Sequence, residues 1–132
     1  MISQKNNAVA KPTGLPADQL NALIIDSIQD IKGKNIVLLD LRHLHDAPTD
    51  YFIICEGDSN VQVRSIADNI KKRVYKEMDT LPNHVEGQQK SLWVLVDYFS
   101  VVVHVFYRDT RAFYELEDLW SDANFTKFQN LN

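Results

Sequence analysis

The stretch that decides the fold reads SLWVLVDYFSVVVHVFYRD, Ser91 to Asp109. It is a long apolar run, interrupted by Asp97 in the middle and by His104 near the end. Two strands joined by a turn around Tyr98–Ser100 account for it. Side chains alternate across a strand, so Trp93, Leu95 and Asp97 face one way and Leu92, Val94 and Val96 the other. In the following strand Val102, His104 and Phe106 share one face, and Val101, Val103, Val105 and Tyr107 share the opposite one. A hairpin loop of two or four residues puts Trp93, Leu95 and Asp97 on the same side as Val102, His104 and Phe106, whereas a three-residue loop inverts the pairing. With the even loop, one face of the hairpin is almost pure valine and leucine and suits the deep core. The other carries a tryptophan, a carboxylate and an imidazole.

Outward from the hairpin, the chain alternates helical and extended patterns. Residues 1–14 are small and polar and are expected to form a mobile arm. LPADQLNALIIDSIQDIKGK predicts a helix, with Pro16 in its first turn, Leu20, Ile24, Ile28 and Ile31 on one stripe and Gly33 just past its end. Asn35–Arg42 and Tyr51–Glu56 read as strands, the second apolar enough to be central. They are separated by the loop HLHDAPTD. Gly57 ends the second strand, and Asp58 or Ser59 can cap the next helix. In that helix Val63, Ile66, Ala67, Ile70, Val74 and Met78 form a 3.6-residue stripe, opposite Lys71, Lys72, Arg73 and Lys76. A short strand is expected near His84–Gly87. After the hairpin, RDTRAFYELEDLWSD predicts a closing helix, with Asp109 as its cap and Phe113, Leu116 and Trp120 on one face. The domain is read as residues 15–123. Residues 124–132 form a C-terminal tail with Phe125 and Phe128 but no firm pattern. The fold class is α/β (α+β): a single domain with a mixed sheet of about five strands flanked by helices.

Composition bounds the function. A chain of 132 residues, 45% hydrophobic and 24% charged, suits one soluble globular core. The net charge of −4 argues against a general binder of phosphate backbones and permits a partner with a basic surface. Cys55 is the one cysteine, so no intrachain disulfide can form and a reducing compartment, the cytoplasm, is expected. No apolar run approaches the ~20 residues of a membrane helix. The first residues have neither an apolar core like a secretory signal nor the arginines of a transit peptide.

The polar groups of the hairpin invite a chemical reading. Asp97 and His104 could serve as acid and base, but no serine or cysteine stands in a nucleophile turn, and Cys55 lies within an apolar strand. A metal reading would collect His43, His45 and His104, yet HLH lacks a carboxylate at a diagnostic spacing. His104 then reads as a satisfied, half-buried core residue, and Trp93 as either packing or a partner contact. The turn Gly57–Ser59, between a strand and a helix, is similar to one by which nucleotidyltransferases hold a phosphate. Such enzymes add paired acids on a following strand to bind magnesium. Here Asp97 has no acid two residues away, and Asp58 would repel phosphate. The lysines of the second helix read as a solvated face. No cofactor or metal is expected.

Together the segments TDYFIICEGDSNVQVRSIADNI, VEG and WVLVDYFSVVVHVFYRDTRAFYELEDLWSDA resemble the ribosomal silencing factor family, also called Iojap-like proteins. The resemblance covers roughly residues 17–123. It departs at Phe99-Ser100, where the family often has glycine and an acid. It implies a nucleotidyltransferase-like fold without the catalytic acids, and a translation regulator that is not an enzyme. Such a regulator binds the large ribosomal subunit on the ribosomal protein called L-fourteen and sterically blocks the small subunit when nutrients are scarce. The alternative is an enzyme of nucleotidyltransferase type using Gly57–Ser59. Sequence-specific nucleic-acid binding and membrane association are not expected, and a homodimer is expected in isolation. The expected partner surface consists of Trp93, Asp97, Tyr98, Tyr114, Glu115 and Trp120, where acids beside large aromatics complement a basic protein.

Overall fold

The computed structural model describes residues 16–131; the expected N-terminal arm lies outside them. One mixed sheet carries the fold. Its strands are β1 (Lys34–Asp40), β2 (Tyr51–Gly57), β3 (His84–Glu86), β4 (Trp93–Asp97), β5 (Val101–Tyr107) and β6 (Asn124–Lys127), in the order β3-β4-β5-β2-β1-β6. β2 and β5 are parallel and every other pair is antiparallel. The sheet has six strands where about five are expected. β6 comes from the segment that carries no hydrophobic pattern, and pairs Asp40 with Asn124 and Val37 with Lys127.

Helices α1 (Pro16–Asp30) and α2 (Asn60–Met78) pack together on one face. Their stripes, Leu20, Ile24 and Ile28 with Val63, Ile66, Ile70 and Val74, close on Ile36, Ile53, Cys55, Val94, Val96, Val101, Val103 and Val105. This is the bland face of the hairpin, and it is the deeper of two cores. Asn69 of α2 donates to the Ser27 carbonyl at 2.8 Å, and Arg73 bridges Asp26, Asp30 and Glu77, so the helix pair is also tied by polar contacts. At the start of α2, Ser59 is the cap: its Oγ accepts from the Gln62 amide at 3.1 Å, while Gln62 Oε1 accepts from the Asp58 amide at 2.7 Å.

The other face is covered by α3 (Arg108–Tyr114) and the single turn α4 (Leu116–Leu119). One closing helix is expected there and two short ones occur. Glu115 sits between them at φ 49°, a left-handed conformation that breaks the helical ladder. The first helix is capped at Tyr107, not Asp109. Arg111 is its buried side chain. It donates to Glu56 at 3.1 Å, to Glu117 at 2.8 Å and to the Asn35 carbonyl at 2.7 Å, tying both short helices to β2 and β1. Because Arg111 takes the inward position, Phe113 does not share a face with the buried Leu116 and is 78% exposed. The second core includes Val37, Leu39, Phe52, Ile54, Val102, Phe106 and Leu116, with Trp93, Leu95 and Trp120 half-buried at its margin. At the corner before β4, Gly87 has φ +86° and a Cβ there would collide with the Trp93 carbonyl, so only glycine fits.

The hairpin turn explains Asp97. Its Oδ1 accepts from the Phe99 amide at 2.7 Å, an Asx turn that holds the loop. Phe99 itself has φ 69° and a side chain 72% exposed. A phenylalanine gains no packing there while bearing left-handed strain. Phe99→Gly is therefore expected to stabilise the fold by about 0.5 kcal/mol, after allowing for the freer unfolded chain; a lower urea midpoint than wild type would contradict this. Arg111→Met keeps the packing stem but strands the carboxylates of Glu56 and Glu117, and should cost about 3 kcal/mol, read in the same urea titration.

Candidate functional site

The register of the hairpin brings the unusual residues together. Trp93 pairs with Phe106, Leu95 with His104 and Asp97 with Val102. All six therefore face the α3 side, as the even-loop reading requires. The β3 pairing adds Glu86 opposite Leu95 and His84 opposite Asp97 on that side. His84 Nε2 lies 2.5 Å from Glu86 Oε2.

On this face the rings form a continuous row. Trp93 lies over Phe106 (centroids 4.7 Å) and beside Tyr114 (5.1 Å), and Tyr114 meets Phe113 edge-on (5.0 Å). In the other direction His104 meets Phe52 at a near right angle (4.6 Å), and Phe52 meets Trp120 in the same way (5.7 Å). The Trp93 indole Nε1–H donates to His104 Nδ1 at 3.1 Å, joining the two halves.

Of the sequence-predicted set, Trp93, Tyr114 and Trp120 belong to this row, and Glu115 is exposed beside Tyr114. Asp97 is half-buried on the same face, with one oxygen committed to the turn. Tyr98 stands apart from the others. It is 6% exposed and lies in the core against α1 and α2, where burial pushes its hydroxyl up to about 12. Its ring continues the alternation of Val94 and Val96, on the opposite side of the sheet from Asp97. Two residues escaped the sequence reading: Phe113 and Leu119, 78% and 75% exposed. Spacing alone places Phe113 on the buried face. Its true neighbour signal is Arg111, whose charge has partners only inward. These residues add exposed apolar area, and Glu86, Glu115, Asp118 and Asp122 are exposed along the sequence flanks.

The chemical readings lose their geometry. His104 is buried, while His43 is exposed with Nε2 2.9 Å from the Asp122 carbonyl and His45 lies in the exposed loop. Among the described residues no group of three His, Cys, Asp or Glu is placed to hold a metal ion. Burial pushes the Cys55 thiol up to about 12, far from a nucleophilic thiolate. At Gly57–Ser59, Asp58 hydrogen-bonds Lys34 at 2.9 Å, which holds its carboxyl below the usual range, and Arg108 adds a contact at 3.6 Å. The first-turn amides of Gln62 and Val63 are taken by Ser59. Among the described residues no helix is long and apolar enough to cross a membrane.

A family model described as ribosomal silencing factor during starvation, RsfS, matches residues 15–132. The chain belongs to the ribosomal silencing factor family. It is 40% identical over 105 residues to the ribosomal silencing factor RsfS of Halalkalibacterium halodurans, spanning 80% of this chain and 88% of that one. A crystal structure of a protein from Chromobacterium violaceum matches with a TM-score of 0.76 at 36% identity, covering 81% of this chain and 88% of the other. The chain is also 27% identical over 122 residues to the Mus musculus protein named mitochondrial assembly of ribosomal large subunit protein 1, spanning 83% of this chain and 51% of that protein. The family match runs through residue 132 and so includes β6.

His104 gives this silencing-factor domain a titration signature. Burial lowers its pKa from 6.5 to about 4. As pH falls, the unfolded chain takes up the proton first, so stability is whole above pH 6.5 and declines toward pH 4. The loss from this group should be on the order of 3 kcal/mol. Urea titrations between pH 7 and 4 should show a shallower acid decline for His104→Phe than for wild type; equal declines would mean that the imidazole is not buried neutral.

Proposed function

We propose that this protein is a non-catalytic regulator of translation that binds the large ribosomal subunit through the aromatic row, on the ribosomal protein called L-fourteen. The observation that carries the reading is the ladder Trp93–Tyr114–Phe113, exposed at its outer end and flanked by acids, in a chain of the ribosomal silencing factor family. Exposed aromatics supply contact area, and the acids favour a basic partner such as a ribosomal protein. The name of the mouse relative supports the large subunit as the partner.

The mechanism needs no reaction. A factor seated on the intersubunit face and the small subunit exclude each other, so occupancy alone sets the inhibited fraction on cytoplasmic ribosomes, under nutrient limitation. The working surface is Trp93, Tyr114, Glu115 and Trp120 with Phe113 and Leu119 added, and Asp97 at its border. Tyr98 supports the hairpin from the core. With no ribosome present, the same apolar patch pairs with a second copy, giving a homodimer visible by light scattering.

The test uses Phe113→Asp. The side chain is exposed, so the thermal midpoint should stay within a degree or two of wild type. Co-sedimentation with purified large subunits should weaken at least tenfold, as expected for an aromatic anchor, and the variant should no longer keep added small subunits from joining. Wild-type co-sedimentation by a folded Phe113→Asp protein would move the working face elsewhere.

A further inference from the structure

His104 stands in β5 between two valines and is 5% exposed. Among the described residues the imidazole's one hydrogen-bond contact is with Trp93, whose indole nitrogen can only donate. Nδ1 therefore carries no hydrogen, and the proton of the neutral ring is on Nε2. That Nε2 is buried and has no hydrogen-bond partner among the described residues. A buried donor without a partner costs stability. An apolar side chain in this strand would avoid that cost. What the imidazole offers and an apolar side chain lacks is the acceptor facing Trp93.

Trp93 needs such a partner. It is half-buried at the edge of the second core, with Phe106 beneath its ring and Tyr114 beside it. Ring contacts of this kind define a plane but allow the indole to turn over within its slot. A single acceptor at 3.1 Å selects one of the two orientations. We propose that His104 is a positioning residue for partner recognition: through Nδ1 it locks the Trp93 indole in the orientation that supports Tyr114 and Phe113 at the binding surface. The proposal rests on the reading of the aromatic row as the ribosome-binding surface. It gives the polar atom of the inner face a task without chemistry. Burial holds the ring neutral down to about pH 4, so the acceptor is present throughout the physiological range.

The test begins with the unaltered protein. Long-range proton–nitrogen spectra should show His104 with its proton on Nε2 and Nδ1 bare, and the Trp93 indole N–H should exchange slowly with solvent. Trp120→Phe serves to assign the indole signals. A ring protonated on Nδ1, or a rapidly exchanging Trp93 indole, overturns the proposal before any variant is made. His104→Leu removes the acceptor, whereas His104→Asn places an amide oxygen at the same distance from Cβ as Nδ1. In the leucine variant the Trp93 indole signal should shift and exchange faster, and large-subunit binding should weaken about tenfold. The asparagine variant should recover most of both. Leucine and asparagine variants that bind equally overturn the positioning role, because loss of core packing alone cannot tell them apart by an acceptor. Trp93→Ala separates the two ideas. If it binds as wild type does, the surface reading fails and with it the role of the lock in recognition, while the spectra report independently on the lock.

Discussion

The parallel pairing of Tyr51–Gly57 with Val101–Tyr107 is the constraint on which the other layers depend. Parallel neighbours cannot be joined by a tight turn and need a crossover. Here the crossover contains α2, β3 and β4, so the helix is laid on one face and the hairpin partner is added outboard of β5. Val101 to Phe106 are buried on both faces. A strand in that position must present apolar groups to both layers, and its one polar side chain, His104, has to find its contact within the fold. The end of β5 also sets the second layer. α3 begins at Arg108, next to the end of β2, where Arg108 reaches Asp58 and Arg111 reaches Glu56.

Arg111 shows how a charge directs the display of apolar groups. The guanidinium is 10% exposed and meets two carboxylates and a carbonyl. Ion pairs of this kind do not add much net stability, since desolvation offsets most of the attraction. Their effect is on orientation. With Arg111 anchored inward, the helix turns Phe113, two residues on, to the outside, while Tyr114 stays against Trp93. The exposure of Phe113 follows from the buried cation.

Most of the fold was legible because the alternation in Trp93–Tyr107 and the stripes of α1 and α2 are dense and local. Alternation with an even loop placed Trp93, Leu95 and Asp97 on the face of Val102, His104 and Phe106, while the choice between the two even registers waited for the structure. β6 was not legible: its residues are mostly exposed and its pairing with β1 lies across nearly the whole chain, so nothing local marks it. The break at Glu115 was hidden because a glutamate holds the left-handed position where a glycine would have announced it. Within the aromatic row, Trp93 and Tyr114 were singled out through a resemblance and a face argument. Tyr98 was misplaced because it was grouped with its chain neighbour Asp97, although alternation carries it to the face of Val94 and Val96, and Phe113 because apolar spacing ignores where a neighbouring arginine is drawn.

Cys55 carries a consequence for how such a protein meets oxidising conditions. Its sulfur is fully enclosed between β2 and the helix layer, and its proton is held tightly. Peroxide and disulfide exchange act on an accessible thiolate, and the chain has no other cysteine. The folded protein thus offers no accessible thiol to redox chemistry. Two copies cannot be crosslinked through sulfur without first opening the sheet. Any assembly it enters is held by the reversible contacts of its surface and dissolves by dilution, indifferent to reductant.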